Sequence, residues 1–293
     1  MNKIAVVDLS WVMHRYRYAY EDLSCKISGK RIPTGHIYGA YVFVKNLSSK
    51  YKRVILAVDS NPTLRKKILP NYKSNRIREV KDEFRDYNIH QDTEEVLAIC
   101  TNFENVFYIK EEGYEADDII GTLIKIADQD WDFYFHDDDI LQNIGEYNLC
   151  VSYGKDLIIG EIFDRRKHIK EKYELDFNYL PLLWKVIKGD SGDCIPIGIE
   201  RFPTKILKEL CRDERLNDNN VSFETCIEIL KSYKSYTGKF NELIKELKPG
   251  SALYKKLEIN YKLVKPMYLE KIKRRKMPGN IKNIFLKYNI RNV

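Results

Sequence analysis

Several features are scarce in this sequence, and each absence removes a class of protein. The six cysteines stand singly at Cys25, Cys100, Cys150, Cys194, Cys211 and Cys226, with no CxxC pair. That spacing excludes a zinc ribbon and a disulfide scaffold and suits a reduced, intracellular chain. No apolar run approaches the roughly 18 residues of a membrane span. The opening MNKIAVVDLS enters a strand pattern at once, which reads as no signal peptide and a cytoplasmic location. Neither a GxxxxGK(S/T) loop nor a GxGxxG after a strand occurs, so kinase and NTPase chemistry fits poorly. No Ser or Cys stands in a recognisable nucleophile setting, which argues against a covalent mechanism.

Charge is plentiful but unevenly mixed. Lys and Arg number 50 against 43 Asp and Glu, for a net charge of +7. Basic runs recur at RKKILPNYKSNRIR and KIKRRK. Such runs suit a polyanionic partner, nucleic acid before membrane, because cations that neutralise phosphates release counterions. The plainer alternative is a solvated, solubilising face.

With 44% apolar residues in 293, the chain can build a sizeable core, as one large domain or a main domain with an appendage. Short β-rich runs, KIAVVD, RVILAVD, NVFYIK, DFYFHD, NLCVSY and IIGEIF, alternate with helical patterns such as TGHIYGAYVFVKNLSSKY and DTEEVLAICTNF. The alternation predicts an α/β fold with a mainly parallel central sheet flanked by helices. From about residue 177 the pattern turns helical, giving an expected division into a core at 1–176 and a helical region at 177–293. Residues 60–90, rich in Arg and Lys, read as an excursion from the core.

The acids carry the chemistry. In open α/β sheets, ligands bind beyond the carboxyl ends of the strands, and Asp8, Asp59, Asp137 and Asp139 end or follow strand-like runs. YEADDIIG adds Glu115, Asp117 and Asp118, and KGDSGD adds Asp190 and Asp193. Taken singly, each has a plain reading as a turn residue or helix cap. Together they repel: two like charges 4 Å apart cost about 4 kcal/mol at an effective dielectric near 20. Nine converging carboxylates call for hard divalent cations, Mg²⁺ or Mn²⁺, and five histidines are too few and scattered to suggest zinc. Two such ions about 3.5–4 Å apart suit phosphoryl transfer or phosphodiester hydrolysis.

These residues resemble the 5′-nuclease family, which includes flap endonucleases, the 5′-nuclease domain of bacterial DNA polymerase I, and stand-alone bacteriophage exonucleases with ribonuclease H activity. VVDLSWVMHRYRYAY is similar to the family's opening strand and helix, with Asp8 and Arg15. PTGHIYGAYVFVKNL is similar to its Thr-Gly helix, here Thr34, Gly35 and Gly39. VDSNPTLRKKILPNYKSNR resembles the strand bearing Asp59 and the arch region with Arg65, Tyr72, Lys73 and Arg76. GYEADDIIG is the most specific match, and HDDDILQ and KGDSGDCIP follow in order.

The resemblance implies a PIN-like core, a helical arch, and a helix-three-turn-helix element holding duplex DNA. It implies two Mg²⁺ ions, replaceable by Mn²⁺, on Asp8, Asp59, Glu115, Asp117, Asp118, Asp137, Asp139, Asp190 and Asp193. Lys73 and Arg76 would engage the scissile phosphate. Arg15, Arg65, Tyr72, Lys73, Arg76, Gly198, Thr204 and Lys205 would contact DNA. The implied substrates are branched or nicked DNA and RNA–DNA hybrid, cut near 5′ ends by a monomer in replication or repair. A single-strand-binding protein or a polymerase is the kind of protein partner that setting allows.

The chain also departs from the family. Cys194 stands where an Asn is expected, and IPIGIERFPTK lacks the regular Gly-x-Gly hairpin. The 195–205 segment therefore diverges, and gives no ground for a K⁺ site. His136 and Asp138 replace small or basic residues, with Asp138 expected to face solvent. His14, His36, His90 and His168 read as structural or solvent-facing, and the tyrosines as core. KIKRRKMPGN reads as an electrostatic DNA contact. The competing functions are a PIN-type ribonuclease, which KGDSGDCIP argues against, and a branched-DNA binder without catalysis, which has no need of mutually repelling acids.

Overall fold

The structure is a computed structural model describing residues 3–75, 87–127, 131–143, 149–151, 165–177, 180–217, 221–234, 236 and 238–290. Arg76 and the candidate strand IIGEIF lie outside the described residues. Five strands, β1 (Ile4–Asp8), β4 (Arg53–Ala57), β5 (Val106–Ile109), β6 (Trp131–Tyr134) and β7 (Leu149–Val151), form one sheet. Its order is β5-β4-β1-β6-β7, and every pairing is parallel.

Alternation along the strands sorts their side chains onto two faces. Ala5, Val7, Val54 and Leu56 join one core with helices α1 (Leu9–Ala19), α2 (Gly35–Lys50) and α4 (Thr93–Cys100). Val6, Ile55, Ala57 and Phe133 join the other core, with α5 (Ala116–Ile126) and the C-terminal helices. Those helices are α7 (Leu182–Lys188), α8 (Thr204–Leu210), α9 (Phe223–Ser232), α10 (Lys239–Lys245) and α11 (Ala252–Val264). Two further helices complete the core flanks, α3 (Thr63–Ile68) and α6 (Arg165–Tyr173). The last helix, α12 (Ile281–Lys287), returns to the first face. There the Tyr288 hydroxyl donates to Asp92 at 2.9 Å, beside a fully buried His36 at 2.8 Å from the same carboxylate.

The Thr-Gly helix is explained by close approach. A Cβ on Gly39 would lie 2.2 Å from the Tyr16 ring, and one on Gly35 would lie 2.5 Å from the Tyr20 carbonyl. Glycine at both positions lets α2 lie directly on α1. The sequence pattern missed the antiparallel hairpin β2 (Ser24–Ile27) and β3 (Lys30–Pro33). Its signal was the dipeptide Ser28-Gly29, with φ of 50° and 79°, the two left-handed residues a tight hairpin turn requires.

No helix among the described residues is long and apolar enough to cross a membrane. The connection reverses direction at β1: β4 and β5 lie to one side of it, β6 and β7 to the other. A cleft beyond the carboxyl ends of strands is expected at such a switch point.

Candidate active site

At that end of the sheet, local capping chemistry aims the acids. Asp8 is both the last residue of β1 and the N-cap of α1, accepting from Trp11 N at 3.1 Å. Asp59, two residues past β4, accepts from Ala116 N at 2.8 Å, so β4 is tied to the start of α5. Glu115 is the N-cap of α5 and Asp117 lies in its first turn. Asp137 caps a 3-10 turn, Asp138–Gln142, by accepting from Asp139 N at 2.8 Å. These five carboxylates line an open cleft of about 300 Å³, together with Lys73, His14 and His90.

The cluster is electrostatically unfavourable without a cation. Burial, then the charges of Asp59 and Asp137, push the Asp8 carboxyl up to about 8, against the stabilising amide of Trp11. Burial and Asp137 likewise hold Asp117 well above the usual carboxylate range, although Lys73 opposes the shift. Asp139 is pushed up to about 7 by burial and by Asp137, with Lys185 opposing.

Asp139 and Asp190 form a neighbouring group bridged by Lys185. Its Nζ is 2.7 Å from an oxygen of each. Burial works against ionisation of Asp190, but Lys185 and the amides of Gly192 and Asp193 hold its carboxyl below the ordinary range. Lys185 escaped the sequence reading; its signal is a lysine in the last turn of α7, ahead of the Gly-Asp.

Asp193 is joined to the cleft through the chain after α3. Lys73 adopts a left-handed φ of 58°. Its amide donates to the Asp193 carbonyl at 3.1 Å, and its Nζ donates to Glu115 at 2.5 Å and lies 3.7 Å from Asp193. Asn75 Nδ2 donates to the Ser191 carbonyl at 2.6 Å, clipping the same segment to the turn after α7.

Asp118 has a different setting from its neighbours and is corrected here. It is fully buried, and Arg65 grips it through two bonds of 2.6 Å. The amides of Glu115 and Met267 donate to the remaining positions at 3.0 and 2.8 Å. With both oxygens saturated by hydrogen bonds, this carboxylate has no lone pair directed at the cleft.

Three DNA-contact expectations are corrected with it. Arg65, 4% exposed, is held inside by Asp118 and by the Leu263 carbonyl. Tyr72, also 4% exposed, sets its hydroxyl 2.9 Å from Glu115 and 3.1 Å from Asp193, so it orients acids rather than stacking on bases. A Cβ on Gly198 would lie 2.3 Å from the Val186 carbonyl, so that glycine permits backbone packing within the protein. Arg15 is half-buried on α1, while Thr204 and Lys205 are exposed at the start of α8. Asp138 does not face solvent freely either. It accepts from Tyr173 at 2.7 Å, lies 2.9 Å from His168 and pairs with Lys172, which holds α6 against the 137–139 loop.

Among the described residues, no three His, Cys, Asp or Glu side chains converge as a ready-made metal cage. The donor set nevertheless fits Mg²⁺, which keeps several waters and takes few protein carboxylates at once. Asp139 Oδ1 is buried and lies 2.7 Å from the Lys185 ammonium.

Comparison with known proteins identifies the family of the chain. The family model for the 5′-3′ exonuclease, N-terminal resolvase-like domain, matches residues 3–174. DNA polymerase I of Caldicellulosiruptor bescii is 31% identical over 234 residues, covering 74% of this chain and 25% of that protein. DNA polymerase I of Bacillus subtilis is 27% identical over 268 residues, covering 87% and 27%. The chain thus spans about a quarter of the length of these relatives. The fold matches bacteriophage T5 5′-exonuclease with bound zinc, at a TM-score of 0.62, 18% identity and coverage of 90% and 89%. It also matches a bacteriophage T5 flap endonuclease complexed with DNA and metal ions, at a TM-score of 0.57, 18% identity and coverage of 89% and 88%. The resemblance read from the motifs therefore holds, and the chain belongs to the 5′-3′ exonuclease family.

Proposed function

We propose that this chain is a Mg²⁺-dependent, structure-selective 5′ nuclease that hydrolyses phosphodiesters near the 5′ ends of branched or nicked DNA and of RNA in RNA–DNA hybrids. The observation that carries the reading is the convergence of Asp8, Asp59, Glu115, Asp117 and Asp137 on one cleft at the switch point of the sheet. Support comes from the family and from fold neighbours solved with metal ions and with DNA.

Two ions would be held by those five acids and by Asp139, Asp190 and Asp193, with Mn²⁺ able to replace Mg²⁺. When bound, such ions generate a water nucleophile and neutralise phosphate oxygens. Asp118 acts indirectly, by fixing the start of α5. Lys73, tethered to Glu115, is placed to donate to a non-bridging oxygen of the scissile phosphate, and Lys185 offers a second ammonium at Asp139 and Asp190. Arg76, outside the described residues, is assigned to the same phosphate by family resemblance. Arg15 and the exposed Thr204 and Lys205 are assigned to DNA backbone contact, with the helical region 177–293 as the duplex platform beside the core 1–176. Action in the cytoplasm alongside replication proteins follows from the same reading.

The test is a 5′-labelled flapped duplex and a matched RNA–DNA hybrid, incubated with Mg²⁺ or EDTA. Magnesium-dependent release of short 5′ products is expected; binding without cleavage would sink the proposal and leave a branched-DNA binder. Lys73→Ala is expected to lower kcat by about 10²-fold, in the range for loss of one positioned transition-state donor. KM should change far less, and a raised KM with unchanged kcat would make Lys73 a binding residue only.

A further inference from the structure

The cleft carries three imidazoles that the chemistry above does not use, His14, His90 and His136, and the first two are in contact. His14 projects from the middle of α1 and His90 from the 3-10 turn Ile89–Asp92. Their Nε2 atoms are 3.3 Å apart, with the ring planes at 67°. Both rings are half-buried and both line the cleft. Their backbones are well anchored. His14 lies inside a continuous helix, while the His90 amide donates to Asn88 Oδ1 at 3.2 Å and the Thr93 hydroxyl donates to the His90 carbonyl at 2.8 Å.

The separation is compatible with two readings, a ring-to-ring hydrogen bond and a shared cation. A good hydrogen bond from a ring N–H spans about 2.7–3.2 Å, so 3.3 Å is long for one ring donating to the other. Two imidazoles on a single tetrahedral Zn²⁺, at about 2.0–2.1 Å each, hold their nitrogens about 3.3–3.4 Å apart. The observed spacing equals that chord. Imidazole nitrogen also prefers Zn²⁺, Co²⁺ or Ni²⁺ to Mg²⁺, whose preferred donors are carboxylate and water oxygens.

We propose that His14 and His90 form a two-imidazole site for a borderline divalent cation such as Zn²⁺ or Co²⁺, separate from the carboxylate site of the same cleft. Both rings would bind through Nε2 with the ring proton on Nδ1. Among the described residues no third His, Cys, Asp or Glu completes a cage. The remaining positions are therefore open to water or to a phosphate oxygen of a bound strand. The site ties α1 to the turn Ile89–Asp92 ahead of α4. It does not depend on nuclease activity, because it concerns metal binding alone.

Titration of metal-free protein with Zn²⁺ by calorimetry, in excess Mg²⁺, tests it. A Zn²⁺ step that Mg²⁺ does not displace is expected in the wild type. His14→Gln and His90→Gln should each weaken that step by about tenfold or more, since even loss of a residue behind a ligand costs about 10–100-fold. The two substitutions lie on different elements, so a folding defect in one, seen by circular dichroism, leaves the other to decide. Co²⁺ provides a reading without mutation, since a tetrahedral nitrogen-ligated site gives intense visible d–d bands. Identical Zn²⁺ isotherms in wild type and folded variants, or absence of those bands in the wild type, overturns the proposal.

Discussion

Asp117→Asn is expected to reduce cleavage by more than about 10²-fold, because loss of a ligand should exceed the cost of losing a group behind one. It is also expected to stabilise the metal-free protein. Burial and the charges of Asp137, Asp8 and Glu115 all raise the Asp117 pKa, so the ionised carboxylate is held against its preference. Removing that charge should raise the melting temperature of the metal-free protein. The pH dependence follows the same sign. Asp8 titrates near 8 when folded and has a reference value of 3.8. Between those values the folded state holds the extra proton, so metal-free stability falls as pH rises from about 4 to about 8. Thermal unfolding in EDTA across that window, then with Mg²⁺, checks the argument. The wild type should gain most from Mg²⁺ at the alkaline end, and the variant should gain little. Normal turnover in Asp117→Asn, or a lower melting temperature in EDTA, would contradict the assignment.

Arg65→Ala should act in the opposite sense, destabilising the protein by about 3–5 kcal/mol, the usual cost of breaking a buried pair from one side. Arg65 and Asp118 are 4% and 0% exposed, and their bidentate contact joins α3 to α5. The same guanidinium donates to the end of α11 at Leu263 and lies 3.2 Å from Glu115. Its removal strands a carboxylate in the interior and loosens a cleft-lining acid. Arg65→Met combined with Asp118→Leu should recover part of the loss, because the desolvation cost of both charges disappears together. Urea unfolding of the wild type, Arg65→Met, Asp118→Leu and the double variant gives the coupling. A loss below about 1 kcal/mol in Arg65→Ala would mean that the pair is no stronger than a surface ion pair.

Legibility in the sequence tracked the range of the interaction. The helices at 93–100, 182–188, 204–210, 223–232 and 252–264 coincide with patterned runs, because amphipathic periodicity is local. The hairpin Ser24–Pro33 is short and has little apolar alternation, so only its Ser-Gly turn marked it. The family resemblance points Arg65, Tyr72 and Gly198 toward DNA, and residue type alone carries no label for inside or outside. Lys185 was overlooked because its partners Asp139 and Asp190 become neighbours only when the turn after β6 meets the end of α7.

Asp117 and Asp118 divide the two kinds of information. That the sequence places acids at the ends of β1 and β4 and at the start of α5 follows from strand and capping patterns a few residues long. Their gathering at one end of a parallel sheet follows from the alternation of strands and helices. Which of two adjacent aspartates meets the cleft does not follow, since neighbours on a helix point about 100° apart and either could face either way. Tertiary structure decides it: Arg65 and the amide of Met267, 53 and 149 residues distant in sequence, saturate Asp118. Asp117 is left to the cleft, among like charges that a proton or a cation relieves.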